Sequence, residues 1–172
     1  MPPCSTPSRS TTAPIRRFSQ SMHWLRLLNQ VRARTPSERL LLGEAAVSLV
    51  AAWVVVRCVP FKWWSRWLGS RDVDSVFAAD GGELAPIRSS IAAVASQLPS
   101  TCLMDALAGK WMLNRRDIPN TLYFGVRTAS AAERADTNMF AHAWLCAGTA
   151  FVAGEAGAAD FSVIVKFTSG QR

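Results

Sequence analysis

The spacing of apolar residues changes about two thirds of the way along this chain, from a helical period to a strand period. Between Ile87 and Arg115 apolar residues recur every three or four positions, with a break at Pro99. After Thr121, short apolar segments are separated by turn residues. Helices followed by antiparallel strands define an α+β fold. We predict helices at 87–98 and 102–115 and strands at 121–127, 140–147, 150–153 and 161–167.

The first half opens with a helix-start signal, Thr35-Pro36-Ser37-Glu38. Its threonine can cap a helix, its proline suits the first turn, and its glutamate completes a capping box. The run from Leu40 to Val56 that follows is almost wholly apolar but shorter than the roughly 20 residues of a membrane span. It also carries Glu44. We interpret it as a helix buried in the protein or against a partner, with membrane attachment as the alternative.

Composition places the chain among single globular domains. Of its 172 residues, 49% are hydrophobic and 18% charged, which excludes disordered, collagen-like and low-complexity classes. The cysteines are widely spaced and form no Cys-x-x-Cys pair, which disfavours a disulfide scaffold and predicts reduced thiols in a cytoplasm. They are Cys4, Cys58, Cys102 and Cys146.

The net charge of +7 is concentrated in the first part of the chain. Residues 1–71 hold eleven Lys and Arg against two acids, and the remainder holds eight against ten. Because the cations are dispersed, we interpret them as a solvated face and expect no nucleic-acid partner. The three tryptophans of Phe61–Leu68 are expected to pin a short helix to the core; base stacking and membrane contact are the alternatives.

Three parts are predicted along the chain. Residues 1–34 form a flexible basic tail, for which a mitochondrial-type presequence is the alternative. Residues 35–85 form a helical N-terminal segment that ends in a polar connection over 69–85. Residues 86–172 form the core, in which 128–138 is a polar loop.

Cys102 is the predicted nucleophile. It falls in the first turn of a predicted helix, where unpaired N–H groups and the helix dipole favour an anion and therefore the thiolate. His142 lies forty residues later, inside a strand, on the face shared by Trp144 and Cys146. A polar ring in such a strand needs a partner, and a Cys/His pair supplies one. The alternatives are two core residues, or a zinc site built from Cys102, His142 and Cys146.

A third group should orient the imidazole. Glu155 follows a short strand that could pair with the histidine strand, and Asp160 follows soon after, so both are candidates. Solvated loop acids are the alternative for both. An oxyanion hole would combine the Cys102 N–H with a second donor, for which Gln97 is a candidate.

Four segments in this order resemble the transglutaminase-like leader peptidases of lasso-peptide biosynthesis, the B proteins or their C-terminal domains. They are Thr101–Ala108, Leu113–Pro119, Phe124–Arg127 and Phe140–Trp144, preceded by a helical lead-in at Arg39–Ala46 and Val59–Phe61. The resemblance covers roughly residues 35–167.

The resemblance implies a papain-like cysteine peptidase core that removes the leader from a ribosomal precursor peptide. It also implies a cyclase partner similar to asparagine synthetase and a dependence on ATP, although the chain has no phosphate-binding Gly-x-x-x-x-Gly-Lys-Ser/Thr loop. The family commonly carries an Asp after the histidine strand, where this chain offers Glu155. The first 35 residues are too short for a leader-recognition domain, so we expect a separate leader-binding protein. A non-catalytic module whose basic, Trp-rich arm docks on a membrane or a partner enzyme is the alternative function.

Overall fold

The structure, a computed structural model, describes residues 35–71, 81–129 and 139–170. The predicted tail, most of the predicted connection before 81 and most of the predicted polar loop lie outside the described residues.

The described ranges form an α+β fold, as predicted. The helices are α1 (Pro36–Cys58), α2 (Phe61–Trp64), α3 (Gly81–Ala95) and α4 (Cys102–Asn114), with 3-10 turns at Ser65–Leu68 and Ala158–Asp160. The strands are β1 (Ser70–Arg71), β2 (Asn120–Thr128), β3 (Met139–Ala147), β4 (Ala150–Ala153) and β5 (Ser162–Ser169). They form one antiparallel sheet in the order β1-β5-β2-β3-β4.

Helix α1 begins where its capping box predicts. The Thr35 hydroxyl accepts from the Glu38 N–H, and the Glu38 carboxylate accepts from the Thr35 N–H at 2.8 Å. One side of the helix is buried, and it packs on α3 and α4. Its buried residues are Ala45, Ser48, Leu49 and Ala52.

An ion-pair cluster joins α1 to the end of α4. Glu44 accepts from Arg116 at 2.6 and 2.9 Å and from Arg115 Nε at 3.0 Å. The hydrogen bond from Arg116 lowers the pKa of Glu44. This cluster, together with the buried side of the helix, confirms that part of the predicted apolar helix packs inside the protein.

The opposite side of α1 is exposed and apolar. Leu40, Val47, Val50 and Val54 are all exposed on it. By length and composition α1 could cross a membrane. Only 22% of its most apolar 18-residue stretch is buried. This side of the helix is therefore not buried within the described part of the chain, and the predicted burial against a partner or attachment to a membrane stays a prediction for it.

Helix α3 begins six residues earlier than predicted, at Gly81, and ends at Ala95 rather than at residue 98. The two glycines at its start, which have low helix propensity, led to the prediction of a connection. Pro86 lies inside the helix. Its carbonyl accepts from the hydroxyls of Ser89 and Ser90.

The helices and one face of the sheet enclose the main core. On that face Leu122, Leu145 and Phe167 join buried residues of α1, α3 and α4. Trp64 and Leu68 belong to the same core, so the N-terminal helices pack together with the rest of the described chain. Of the three tryptophans predicted to pin the short helix, Trp64 alone is buried.

A second, smaller cluster covers the other face of the sheet. Trp144, Cys146 and Ala158 are buried there, with Tyr123 and Phe161 packed against them. Gly125 is required at this point, because a Cβ on it would lie 2.8 Å from the Trp144 ring. The stretch after β4 returns across this face as the 3-10 turn 158–160.

Candidate active site

Cys102 is the first residue of α4, as predicted. Thr101 is the N-cap, and its hydroxyl accepts from the Met104 N–H at 3.4 Å. The Cys102 side chain is partly exposed. The first N–H groups of a helix have no acceptor within it, so they are free to face an anion at the Cys102 sulfur or a ligand oxygen.

His142 lies near the middle of β3, opposite Gly125 of β2. Its ring stacks on Trp144, with centroids 5.9 Å apart, and tilts against Phe161 at 5.1 Å. These contacts place the imidazole on the sheet face of the smaller cluster. Two aromatic neighbours fix its plane, and the ring remains half-buried.

The partner of the imidazole is a backbone carbonyl. His142 Nε2 lies 2.8 Å from the Gly154 oxygen. Because a carbonyl can only accept, Nε2 carries the proton and the neutral ring keeps its lone pair on Nδ1. The histidine is thus held in the tautomer that could act as a base through Nδ1.

Gly154 is suited to this position by its backbone. Its φ is +74°, and a Cβ on it would lie 2.5 Å from the Ala143 oxygen. A side chain would therefore be strained and would collide with β3. Glycine lets the chain leave β4 close enough to β3 for the carbonyl to reach the imidazole.

The two predicted orienting acids have other surroundings. Glu155 forms an ion pair with Arg88 of α3, and both side chains are about half exposed. Asp160 ends the second 3-10 turn and is exposed. Neither is hydrogen-bonded to His142, and the orienting contact comes from the residue next to Glu155 instead.

A cavity of about 150 Å³ lies between α3, α4 and the chain leaving β4. Arg88, Asp105, Gly154 and Glu155 contribute its polar lining. Asp105 lies three residues after Cys102, and burial raises the pKa of its carboxyl. Among the described residues, its Oδ1 is the one buried side-chain oxygen without a hydrogen-bond partner.

Cys102 and His142 are not hydrogen-bonded to each other in the described structure. The alternation of β3 directs His142 away from the face that packs on α4, which Leu145 occupies. The link between the two is Gly154, which binds the imidazole and also lines the cavity beside Asp105. The predicted thiol–imidazole contact therefore stays a prediction.

The remaining candidates are placed as follows. The Gln97 amide donates to the Ser96 hydroxyl at 3.0 Å, in the exposed turn before α4. Burial raises the pKa of the Cys146 thiol to about 11, and the Glu155 charge adds to that effect. Within the described ranges, no three His, Cys, Asp or Glu side chains form a group that could hold a metal ion.

The site contains groups that the sequence reasoning missed. Asp105 could have been predicted from the sequence, because it lies three residues after Cys102 and residues three apart on a helix share a face. No local sequence pattern predicts the ion pair between Arg88 and Glu155. The same is true of the hydrogen bond between His142 and the Gly154 carbonyl. Both depend on how the chain leaves β4 and passes α3 and β3.

Residues 55–166 match the Transglutaminase-like superfamily. The match covers more than half of the chain, so this chain belongs to the transglutaminase-like superfamily. That superfamily commonly contains cysteine peptidases and transferases. No curated protein and no solved structure matches the chain.

Proposed function

We propose that this chain is a cysteine peptidase that removes the leader from a ribosomally made lasso-peptide precursor. The observation that carries the proposal is the position of Cys102, at a capped helix start in a chain of the transglutaminase-like superfamily. The narrower assignment to leader removal rests on the resemblance of four ordered segments to lasso leader peptidases.

In the proposed reaction, the Cys102 thiolate attacks the carbonyl carbon of the last leader residue. The new C–S bond forms, and the peptide C–N bond breaks as the departing amine takes a proton from the imidazolium of His142. Water then hydrolyses the thioester and frees the leader carboxylate. The first N–H groups of α4 would stabilise the oxyanion.

His142 is the proposed proton carrier in this scheme. Its Nε2 proton is engaged by the Gly154 carbonyl, so Nδ1 is the atom that would accept the thiol proton. Hydrogen bonds between catalytic groups are often long in the free enzyme and tighten when substrate binds. Because β3 directs the ring away from the face that packs on α4, this step needs more than such tightening, and we propose that binding of the precursor moves the His142 side chain and the start of α4 together. The Gly154 carbonyl orients the ring, with Glu155 or Asp160 as the acid that favours its charged form.

The proposed reaction involves two partners. We propose a leader-binding protein that presents the precursor, and an asparagine-synthetase-like cyclase that closes the macrolactam on the freed amine. The resemblance also suggests a dependence on ATP, although the sequence has no Gly-x-x-x-x-Gly-Lys-Ser/Thr loop. The proposed location is the cytoplasm, where the cysteines stay reduced.

The test is cleavage of the precursor, followed by mass spectrometry, in the presence of the leader-binding protein. Cys102→Ala should abolish cleavage, and His142→Ala should slow it roughly 100-fold or more. Cys58→Ala removes an exposed thiol at the end of α1 and should cleave like the wild type. Circular dichroism should show the same fold for all variants. Undiminished cleavage by Cys102→Ala would rule out the mechanism.

A further inference from the structure

The end of α1 and the segment after it carry exposed tryptophans beside cations. We propose that this aromatic–basic segment, residues 53–67, docks the protein on the surface of an anionic phospholipid bilayer. The residues that would make the contact are Trp53, Arg57, Lys62, Trp63, Arg66 and Trp67.

The tryptophans of the segment divide between two roles. Trp64 is 4% exposed and anchors the segment in the main core with Leu68. Trp63 and Trp67, by contrast, are 65% and 72% exposed. They lie on either side of Trp64 along the same short helical stretch. Two exposed indoles on an anchored segment present an apolar surface that packing within the described part of the chain does not use.

The charge around these rings has one sign. Residues 45–71 contain four cations and no acid. Arg57 lies over the ring of Trp53, 5.9 Å from its centroid. Lys62 and Arg66 are exposed and make no hydrogen bond or ion pair in the described part of the chain. The segment therefore offers unpaired positive charge to an anionic surface.

The chemistry of the segment favours a bilayer over nucleic acid or a protein partner. Tryptophan is enriched where membrane meets water, because its ring is apolar and its N–H is polar. The exposed aliphatic side of α1, with Val47, Val50 and Val54, adjoins the segment. Burial of aliphatic side chains among the acyl chains of a bilayer is favourable, whereas such side chains cannot stack on nucleic-acid bases. The cations of the segment attract anionic head groups.

Docking would leave α1 on the surface and not across the bilayer. Glu44 is engaged by Arg115 and Arg116 of the folded domain. The buried side of the helix packs on α3 and α4. Inserting the whole helix would break these contacts, whereas surface docking keeps them. This inference does not depend on the peptidase proposal.

The first experiment measures sedimentation of the full chain with vesicles. Wild type should bind vesicles of phosphatidylcholine that contain about 30 mol% phosphatidylglycerol, and should bind pure phosphatidylcholine vesicles roughly tenfold more weakly. Trp63→Ala/Trp67→Ala keeps every charge and should lower the partition coefficient roughly tenfold. Ile164→Ala, at an exposed apolar residue of β5, is the matched control and should bind like the wild type.

The second experiment separates the segment from the basic N-terminal residues. Lys62→Gln/Arg66→Gln and Arg16→Gln/Arg17→Gln each remove two cations. The first pair should weaken binding to the anionic vesicles roughly tenfold, and more than the second pair does. Equal losses from both pairs, no loss in the tryptophan variant, or no binding to anionic vesicles would each overturn the proposal. Circular dichroism checks that every variant is folded.

Discussion

Lys110 allows a quantitative test of how the cysteine-bearing helix is joined to the sheet. The residue lies in α4 and is fully buried. Its Nζ donates to Asn120 Oδ1 at 2.9 Å and to the Phe167 carbonyl at 3.3 Å. A neutral amine has two N–H groups, and these two acceptors satisfy both. The charged form would bring a third N–H and a charge into the core.

Burial lowers the pKa of Lys110 from 10.5 to about 7. Between these two values the unfolded chain binds a proton that the folded chain does not, so the free energy of unfolding rises with pH. The destabilising effect of the lysine is largest below about pH 7 and disappears above the unfolded value. Between pH 7 and pH 9 it should shrink by about 2 kcal/mol.

The assay compares the urea unfolding of wild type and Lys110→Met from pH 6 to pH 9. Methionine removes both hydrogen bonds, at a cost of roughly 1–3 kcal/mol that does not depend on pH. We expect wild type to gain about 2 kcal/mol relative to the variant between pH 7 and pH 9. Lys62→Met, at an exposed lysine, is the control for the loss of one lysine charge outside the core. If the free energies of unfolding of wild type and Lys110→Met change in parallel with pH over this range, the reasoning is refuted.

Three further predictions follow from the same structure. Glu44→Gln should lower the free energy of unfolding by about 1 kcal/mol at pH 7. Because the folded pKa of Glu44 is lowered, this loss should be full at pH 7 and should shrink as the pH falls from 4.5 towards the lower folded value, as urea titrations at pH 3 and 7 can show. Iodoacetamide at pH 8 should modify the exposed Cys58 but not the buried Cys146, whose raised pKa keeps it protonated; mass mapping of a modified Cys146 in folded protein would contradict this. Gly154→Ala should destabilise the fold by roughly 1–3 kcal/mol and slow precursor cleavage, because the strain displaces the carbonyl that holds His142. If stability and cleavage rate both match the wild type, the Gly154 carbonyl does not have this orienting role.

The helices and strands were predictable where their signals are local. Thr35 and Thr101 cap α1 and α4 through side-chain contacts within three residues, and both helix starts were predicted correctly. The strand positions follow from the alternation of side chains between the two faces of a strand and from the turn after Ala147. Strand β1 has two exposed residues and exists because it pairs with β5, so no local pattern predicts it.

The candidate site was predictable only in part, for a related reason. Helix-start chemistry identified Cys102, and a polar ring in an apolar strand identified His142. The partner of His142 is a main-chain oxygen, which every residue has, so residue type carries no information about it. The sequence reasoning searched for an acidic side chain and proposed Glu155, which Arg88 pairs with in the structure.

The covalent intermediate is the most direct test of the central claim that Cys102 is the nucleophile. Precursor and leader-binding protein are mixed with the wild-type chain, quenched in acid within a turnover, and the intact protein is weighed by mass spectrometry. We predict an adduct with the mass of the acylating leader, mapped to Cys102 and absent from Cys102→Ala. Precursor consumed without an adduct on Cys102, at a rate that Cys102→Ala matches, would contradict the account.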